Sequence, residues 1–189
     1  MLKTGQQIGQ YLIVGRIGEG RLGDVYQVRD AGLGISAALK VLDVETGVRE
    51  ALVQQVHQQS TVQHPNLAPF TDVLEIGGQL GLVTELIDGP TLELWLASYQ
   101  PTLDETLALF RGIVCGLGHA HAHGHVHQNL RPGNIMLSLG DDWMIPKITD
   151  LGLAEALGPV ATGQGSRGVA PNYTAPELIH HPQEIDRRA

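Results

Sequence analysis

The chain has 189 residues, 42% of them hydrophobic and 17% charged, which suits one folded unit or two small lobes and excludes a disordered or fibrous chain. Its formal net charge is −8 with no block of Lys or Arg, so a nucleic-acid-binding surface is not expected and any phosphate ligand must be met by local donors. Cys115 is the only cysteine, which excludes an intrachain disulfide and is expected to be a buried structural thiol; no stretch approaches the roughly 18 apolar residues of a membrane span, so the expectation is a soluble, cytoplasmic protein.

In chain order, residues 11–42 alternate apolar and polar positions around glycine-rich turns, as in Tyr11-Leu12-Ile13-Val14, Val25-Tyr26-Gln27-Val28 and Ala37-Ala38-Leu39-Lys40-Val41. That period predicts three antiparallel strands. From Thr46 to Gln63, Val48, Leu52 and Val56 with Val53 form a helical stripe that His64-Pro65-Asn66 ends. Two more strands are predicted around 69–76 and 80–86, and Asp88-Gly89-Pro90 then breaks the pattern at a candidate lobe boundary. Leu103, Leu107, Phe110, Ile113, Val114 and Leu117 recur at helical spacing, predicting a long helix from about Thr102 to Gly124. Residues 155–172, rich in small residues and without periodicity, read as a long mobile loop.

The motifs that carry chemistry begin with Gly18-Glu19-Gly20-Arg21-Leu22-Gly23-Asp24-Val25, a glycine-rich turn between strands where backbone N–H groups could approach phosphates closely. Alone it is better explained as a simple hairpin turn. Ala38-Leu39-Lys40 follows on the next strand, then His127-Gln128-Asn129-Leu130-Arg131-Pro132-Gly133-Asn134, Asp150-Leu151-Gly152 and Ala175-Pro176-Glu177. In that order and spacing, with His64-Pro65-Asn66-Leu67 and the run 146–155 around them, these segments resemble the glycine loop, strand lysine, catalytic loop, metal-binding triplet and APE triplet of the protein kinase domain. The texture is closest to bacterial serine/threonine kinases of the eukaryotic type.

The resemblance implies an α+β bilobal kinase fold. Its N-lobe, residues 1–87, would be a small antiparallel sheet with one helix, and its C-lobe, residues 88–189, would be mainly helical and incomplete. It also implies ATP and Mg2+ as ligands. Gly18, Gly20 and Gly23 would cover the phosphates, Val25 and Ala38 the adenine, and Met136 would lie beneath the ring. Glu85 to Ile87 would form the hinge with Thr84 as gatekeeper, Lys40 would hold the α and β phosphates, and Asn134 and Asp150 would supply oxygens to magnesium.

Several positions depart from the family's pattern. Asn129 replaces the catalytic aspartate, and its amide can orient a hydroxyl but cannot take a proton at pH 7. A positioned base is worth about a hundred- to ten-thousand-fold in rate, or roughly 3 to 5 kcal/mol of barrier. Gln55 stands where a helix glutamate would pair with Lys40, with Glu50 facing elsewhere; Arg131 replaces the catalytic-loop lysine. Gln128 replaces the arginine that reads activation-loop phosphorylation, so modification of Thr162 or Ser166 is not expected to switch the chain, and Ala170 replaces the loop threonine. Together they predict a pseudokinase-like module that binds nucleotide, transfers phosphate poorly or not at all, and acts by conformation or by docking a partner of unknown identity. The alternatives are an active serine/threonine kinase and a non-functional fragment, since the family's later helices and the partner of Glu177 do not follow Ala189.

The run His119, His121, His123, His125, His127 invites a metal reading, but residues two apart on a helix point in different directions and a site needs three or four converging ligands. The resemblance explains His121 and His127 as ordinary family positions and leaves the others as exposed loop residues.

Overall fold

A computed structural model describes residues 1–20, 23–59, 61–140, 143–162, 173–177 and 186–187. The chain divides into two compact units, one of residues 1–60 and 70–86, the other of residues 61–69 and 87–189. The first unit is built on a six-stranded antiparallel sheet in the order β1-β2-β3-β4-β6-β5, from β1 (Gln7–Ile8), β2 (Tyr11–Gly20), β3 (Gly23–Asp30), β4 (Ser36–Leu42), β5 (Phe70–Ile76) and β6 (Gln79–Glu85). Strand alternation sorts its side chains cleanly. Tyr11, Ile13, Tyr26, Val28, Leu39, Val41 and Val83 all turn to one buried cluster, and the residues between them turn to the other face. Tight turns fix the register. Asp30 Oδ1 accepts from the backbone N–H of Gly32 and Leu33, both at 2.8 Å, closing the β3–β4 turn. Gly77 and Gly78, with φ of 54° and 87°, form the two-residue β5–β6 turn that demands left-handed backbone twice.

Helix α1 (Thr46–Gln59) packs on β5 and buries Leu52 and Val56, four residues apart on one face. The sequence pattern carries this helix to Gln63, but it ends at Gln59 because Val62, 1% exposed, belongs to the core of the second unit with Leu67, Ala120, Ile148 and Leu151. Pattern reading cannot see that the next apolar residue is spent elsewhere.

The second unit contains α2 (Leu92–Ser98), α3 (Leu103–Ala122), a 3-10 turn at Pro132–Asn134, the hairpin β7 (Ile135–Leu139) and β8 (Met144–Ile148), and α4 (Leu153–Thr162). Thr102 and Glu105 form a reciprocal capping box, and α3 begins at Leu103, one residue after the expected start. Gly116 lets α3 approach the chain at Asn66, since a Cβ there would lie 2.9 Å from the Asn66 carbonyl oxygen. The expected long loop over 155–172 is corrected in part. Residues 155–162 are helical, because Leu153, Ala154, Glu155, Ala156 and Leu157 are strong helix formers and Leu153 and Ala154 are buried. Cys115 is likewise corrected, being exposed on the α3 face opposite Leu109, Gly116 and Ala120. Among the described residues no helix is long and apolar enough to cross a membrane.

Candidate functional site

In the first unit, cross-strand pairing sets the candidate nucleotide-holding residues in register. Val25 pairs with Lys40, Gln27 with Ala38, and Ala38 with Thr84. The two-residue period therefore puts Val25, Ala38, Lys40 and Thr84 on one sheet face, opposite the buried cluster of Leu39 and Val41. All four are half-buried. Glu85 ends β6 and Ile87 opens the second unit.

The glycine loop is a hairpin whose pairs run Gly18 with Val25, Glu19 with Asp24 and Gly20 with Gly23. Its tip, Arg21 and Leu22, lies outside the described residues. Gly23 has its own steric reason, since a Cβ on it would lie 1.7 Å from the Val41 carbonyl oxygen and its φ is +152°. Gly18 has none: the nearest atom to its missing Cβ is 4.0 Å away, on Val25. Arg16 ties the hairpin base by donating to Asp24 Oδ1 from Nε at 3.0 Å and Nη2 at 2.6 Å, with Glu19 3.0 Å from Nη2.

In the second unit the catalytic-loop segment is held by a chain of hydrogen bonds. His127, 2% exposed, lies with Nε2 2.9 Å from the Thr149 carbonyl oxygen, while its Nδ1 accepts from the Asn129 backbone N–H at 3.3 Å. The two contacts assign the proton to Nε2. Burial pushes this imidazole below its ordinary pKa, against the opposing pull of the Thr149 carbonyl and the Asp150 charge. Asn134 donates from Nδ2 to the Asn129 carbonyl at 2.8 Å, and its own carbonyl accepts from the Thr149 N–H at 2.9 Å and Oγ1 at 3.2 Å. The β7–β8 pairing thus continues one step past Ile135–Ile148, and Asp150 follows immediately with left-handed φ of 61°. This ladder ties Asn129 to Asn134 and places Asp150 one residue after its last rung. Met136 lies on β7, half-buried, bridged to Thr91, on the opposite face from Ile135 and Leu137.

These residues offer hard oxygen donors, an amide carbonyl anchored through its own NH2 and a carboxylate, which fit a magnesium ion better than a soft metal. Gln55 is half-buried on α1 and Glu50 is exposed. Gln128, in the family's arginine position, has φ of 59°, and Glu177 is half-buried at the start of a helical turn. Ser166 and Ala170 lie outside the described residues, and Thr162 closes α4.

Arg131 has a neighbour that sequence reasoning missed. Its Nη1 lies 3.9 Å from Glu93 Oε2 on α2, a residue 38 positions away with no motif of its own. No local pattern could have found it.

The histidines divide differently from expectation. His119 lies on the last turn of α3 and His123 is its C-cap, with ring centroids 4.4 Å apart; the His64 ring centroid stands 5.0 Å from that of His119, and His123 Nδ1 meets the His119 carbonyl at 2.8 Å. His125, expected to be exposed, is 7% exposed, because the chain turns inward after Gly124 toward the buried catalytic segment. Burial pushes its imidazole below the ordinary pKa, against the charge of Glu155. Among the described residues no group of three or more His, Cys, Asp or Glu is placed to hold a metal ion.

A family model described as the protein kinase domain matches residues 11–189. The chain is 28% identical over 192 residues to the serine/threonine-protein kinase ATG1a of Arabidopsis thaliana, covering 100% of this chain and 30% of that protein. It is 30% identical over 181 residues to the serine/threonine-protein kinase PknD of Mycobacterium tuberculosis, covering 93% of this chain and 27% of that protein. The chain therefore spans under a third of the length of these relatives. The crystal structure of the M. tuberculosis PknI kinase domain superposes with a TM-score of 0.80 at 25% identity, over 100% of this chain and 70% of that one.

Proposed function

Because this chain belongs to the protein kinase domain family, we propose that it binds ATP with magnesium through Lys40, Asn134 and Asp150, transfers phosphate poorly or not at all, and acts through its conformation or by docking a partner protein. The observation that carries this reading is the hydrogen-bonded ladder from His127 through Asn129 and Asn134 to Thr149, which is complete although the residue in the catalytic position is an amide. The scaffold that positions oxygen donors is kept while the proton acceptor is gone. Asn134 and Asp150 would hold the magnesium, whose charge would offset that of the phosphates. Asn129 then orients a substrate hydroxyl without removing its proton, which forgoes roughly 3 to 5 kcal/mol of barrier lowering. In the first unit the Val25–Lys40 pairing supports a purine against the same sheet face that carries the phosphate-binding ammonium.

A thermal-shift titration with ATP, with and without magnesium, tests this. A magnesium-dependent gain of about 2.7 kcal/mol at a hundred-fold excess over Kd is expected, and it should be lost in Lys40→Ala. No shift from a cooperatively melting chain would leave the fold as a scaffold without nucleotide, and the absence of a cooperative melt would favour a fragment that does not function alone.

The serine/threonine kinases among the relatives favour a second reading, in which phosphoryl transfer survives. A loose, largely dissociative transition state leans more on positioning and charge than on a base. Asn129→Asp separates the two: a large gain in autophosphorylation marks an otherwise competent site, and no gain points to the other four changes, Gln55, Arg131, Gln128 and Ala170.

A further inference from the structure

The two tryptophans of the chain, Trp95 on α2 and Trp143 at the end of the β7–β8 hairpin, line one cavity of about 300 Å³ within the second unit. Its inner wall is Trp95 and Leu109, 8% and 7% exposed, which belong to a core cluster with Leu137 and carry Met144 against them. Its mouth is different. Leu139 and Trp143 are 68% and 61% exposed there, on a hairpin end fixed by the Gly140 N–H donating to the Trp143 carbonyl at 3.0 Å. A large indole left mostly in water at the rim of a packed apolar cavity gains little burial from folding, and such surface is suited to being covered by a partner. The volume lies at the lower end of what a small-molecule site spans, which suits one or two apolar side chains better than a whole cofactor.

Among the described residues Glu105 is the charged group lining this cavity. Its carboxylate accepts from the Thr102 N–H at 2.7 Å, the Thr102 hydroxyl at 2.8 Å and the Tyr99 hydroxyl at 2.9 Å, and these bonds, the Thr102 N–H first, hold its carboxyl below the ordinary carboxylate range. Tyr99 in turn stacks on Trp95 with ring centroids 4.8 Å apart. The capping box accounts for a glutamate or glutamine at this position, but it leaves the charge unbalanced: no Lys or Arg among the described residues pairs with Glu105. From Gly89 to Phe110 the charged residues are Glu93, Asp104 and Glu105, all acidic.

We propose that this cavity is a docking site for a segment of a partner protein in which a Lys or Arg stands close to a large apolar side chain, the apolar group entering between Trp95 and Trp143 and the cation meeting Glu105. The proposal rests on the docking part of the reading above and gives the partner its chemistry. Charge complementarity selects the occupant. An acidic segment meets like charge at the mouth, and a purely apolar one desolvates the carboxylate without replacing its water.

Tryptophan emission of the 189-residue chain tests this directly, because both indoles line the cavity and the chain has no others. The probe is the capped peptide Leu-Arg-Arg-Leu, titrated at low salt without nucleotide, against Leu-Glu-Glu-Leu and Ala-Arg-Arg-Ala. The first is expected to give a saturable blue shift and to bind about ten-fold or more tighter than either control. Glu105→Gln, which keeps the capping bonds, is expected to weaken that peptide about two- to five-fold at an unchanged melting temperature. A residue that served only as a cap would not show this effect, and added salt should erase it. In Leu139→Ser combined with Trp143→Ser the emission comes from Trp95 alone, and the shift should be lost; if that variant does not melt cooperatively, the peptide series and Glu105→Gln decide. No shift, equal binding of the three peptides, unchanged affinity in Glu105→Gln, or a shift that persists in a folded double variant each overturns the inference. So does a blue shift that grows with protein concentration alone, which assigns the face to a second copy of the chain. All of these leave nucleotide binding to the ATP titration, whereas an unaltered chain that does not melt cooperatively overturns the reading on which the inference rests.

Discussion

Gln59, the last residue of α1, is fully buried, and both its amide nitrogen and its amide oxygen lack a hydrogen-bond partner among the described residues. A buried polar group left unsatisfied costs about 1 to 3 kcal/mol, so Gln59→Leu, which removes both polar atoms, is expected to raise stability by that order. The midpoint of urea unfolding should rise with an unchanged slope; a fall would show that the amide has a partner in solution. His127 is buried too, but its nitrogens are used, and it titrates in the opposite sense from a paired surface histidine. Its folded pKa lies below the unfolded value of about 6.5, so the unfolded chain binds more protons below that pH. Stability is therefore full above about pH 6.5 and declines as the pH falls toward the folded pKa, by up to about 1.4 kcal/mol per pH unit for each such group. His125, His64 and His121 shift in the same direction. Replacing His127 by Gln, which can donate to Thr149 and accept from Asn129 without titrating, is expected to flatten the acid limb in a pH series of chemical denaturation. An unchanged slope would assign the acid sensitivity to the other three.

The strands of the first unit were legible in the sequence because each is half-buried, and Tyr26-Gln27-Val28-Arg29 writes its burial directly as alternation. Helix α2 was not foreseen. Its seven residues are too few to display a period, although Thr91 accepting from the Leu94 N–H is a legible cap. What holds the start of α2 is a backbone contact that no pattern announces. Leu137 donates to the Pro90 carbonyl at 2.9 Å, Thr91 bridges Met136, and a Cβ on Gly89 would lie 1.8 Å from the Leu137 carbonyl oxygen. Gly89→Ala is thus expected to destabilise the chain by about 1 to 3 kcal/mol or more, since backbone and not a flexible side chain must move. Gly118→Ala provides the contrast. Nothing lies within 4 Å of its missing Cβ in the interior of α3, so the same substitution is expected to stabilise by up to about 1 kcal/mol. Denaturation of the two variants side by side checks both, and equal effects would show that the close approach at Gly89 does not govern stability.

Across the whole molecule, the most visible consequence of the helical pattern is a face left open. Leu103, Leu107, Phe110 and Val114 repeat along α3 and are 73%, 49%, 62% and 49% exposed, while Leu109, Gly116 and Ala120 form its buried side. The same apolar period that identified the helix could not say which stripe is covered. The 189-residue chain is expected to bind an apolar dye such as ANS on this face, and Leu107→Gln combined with Phe110→Gln should lower the fluorescence without lowering the urea midpoint. Unchanged fluorescence would place the dye elsewhere. By itself the sequence determined the strands over 11–42, the helices α1 and α3, the order of the kinase motifs and the amide at Asn129, because these depend on residue identity and spacing along the chain. Only the tertiary structure decided that α1 stops at Gln59, that Cys115 is exposed and His125 buried, that α4 forms over Leu153–Thr162, and that Glu93 stands beside Arg131. Each of these depends on which distant segment occupies the neighbouring space, and that is set by packing between residues far apart in sequence.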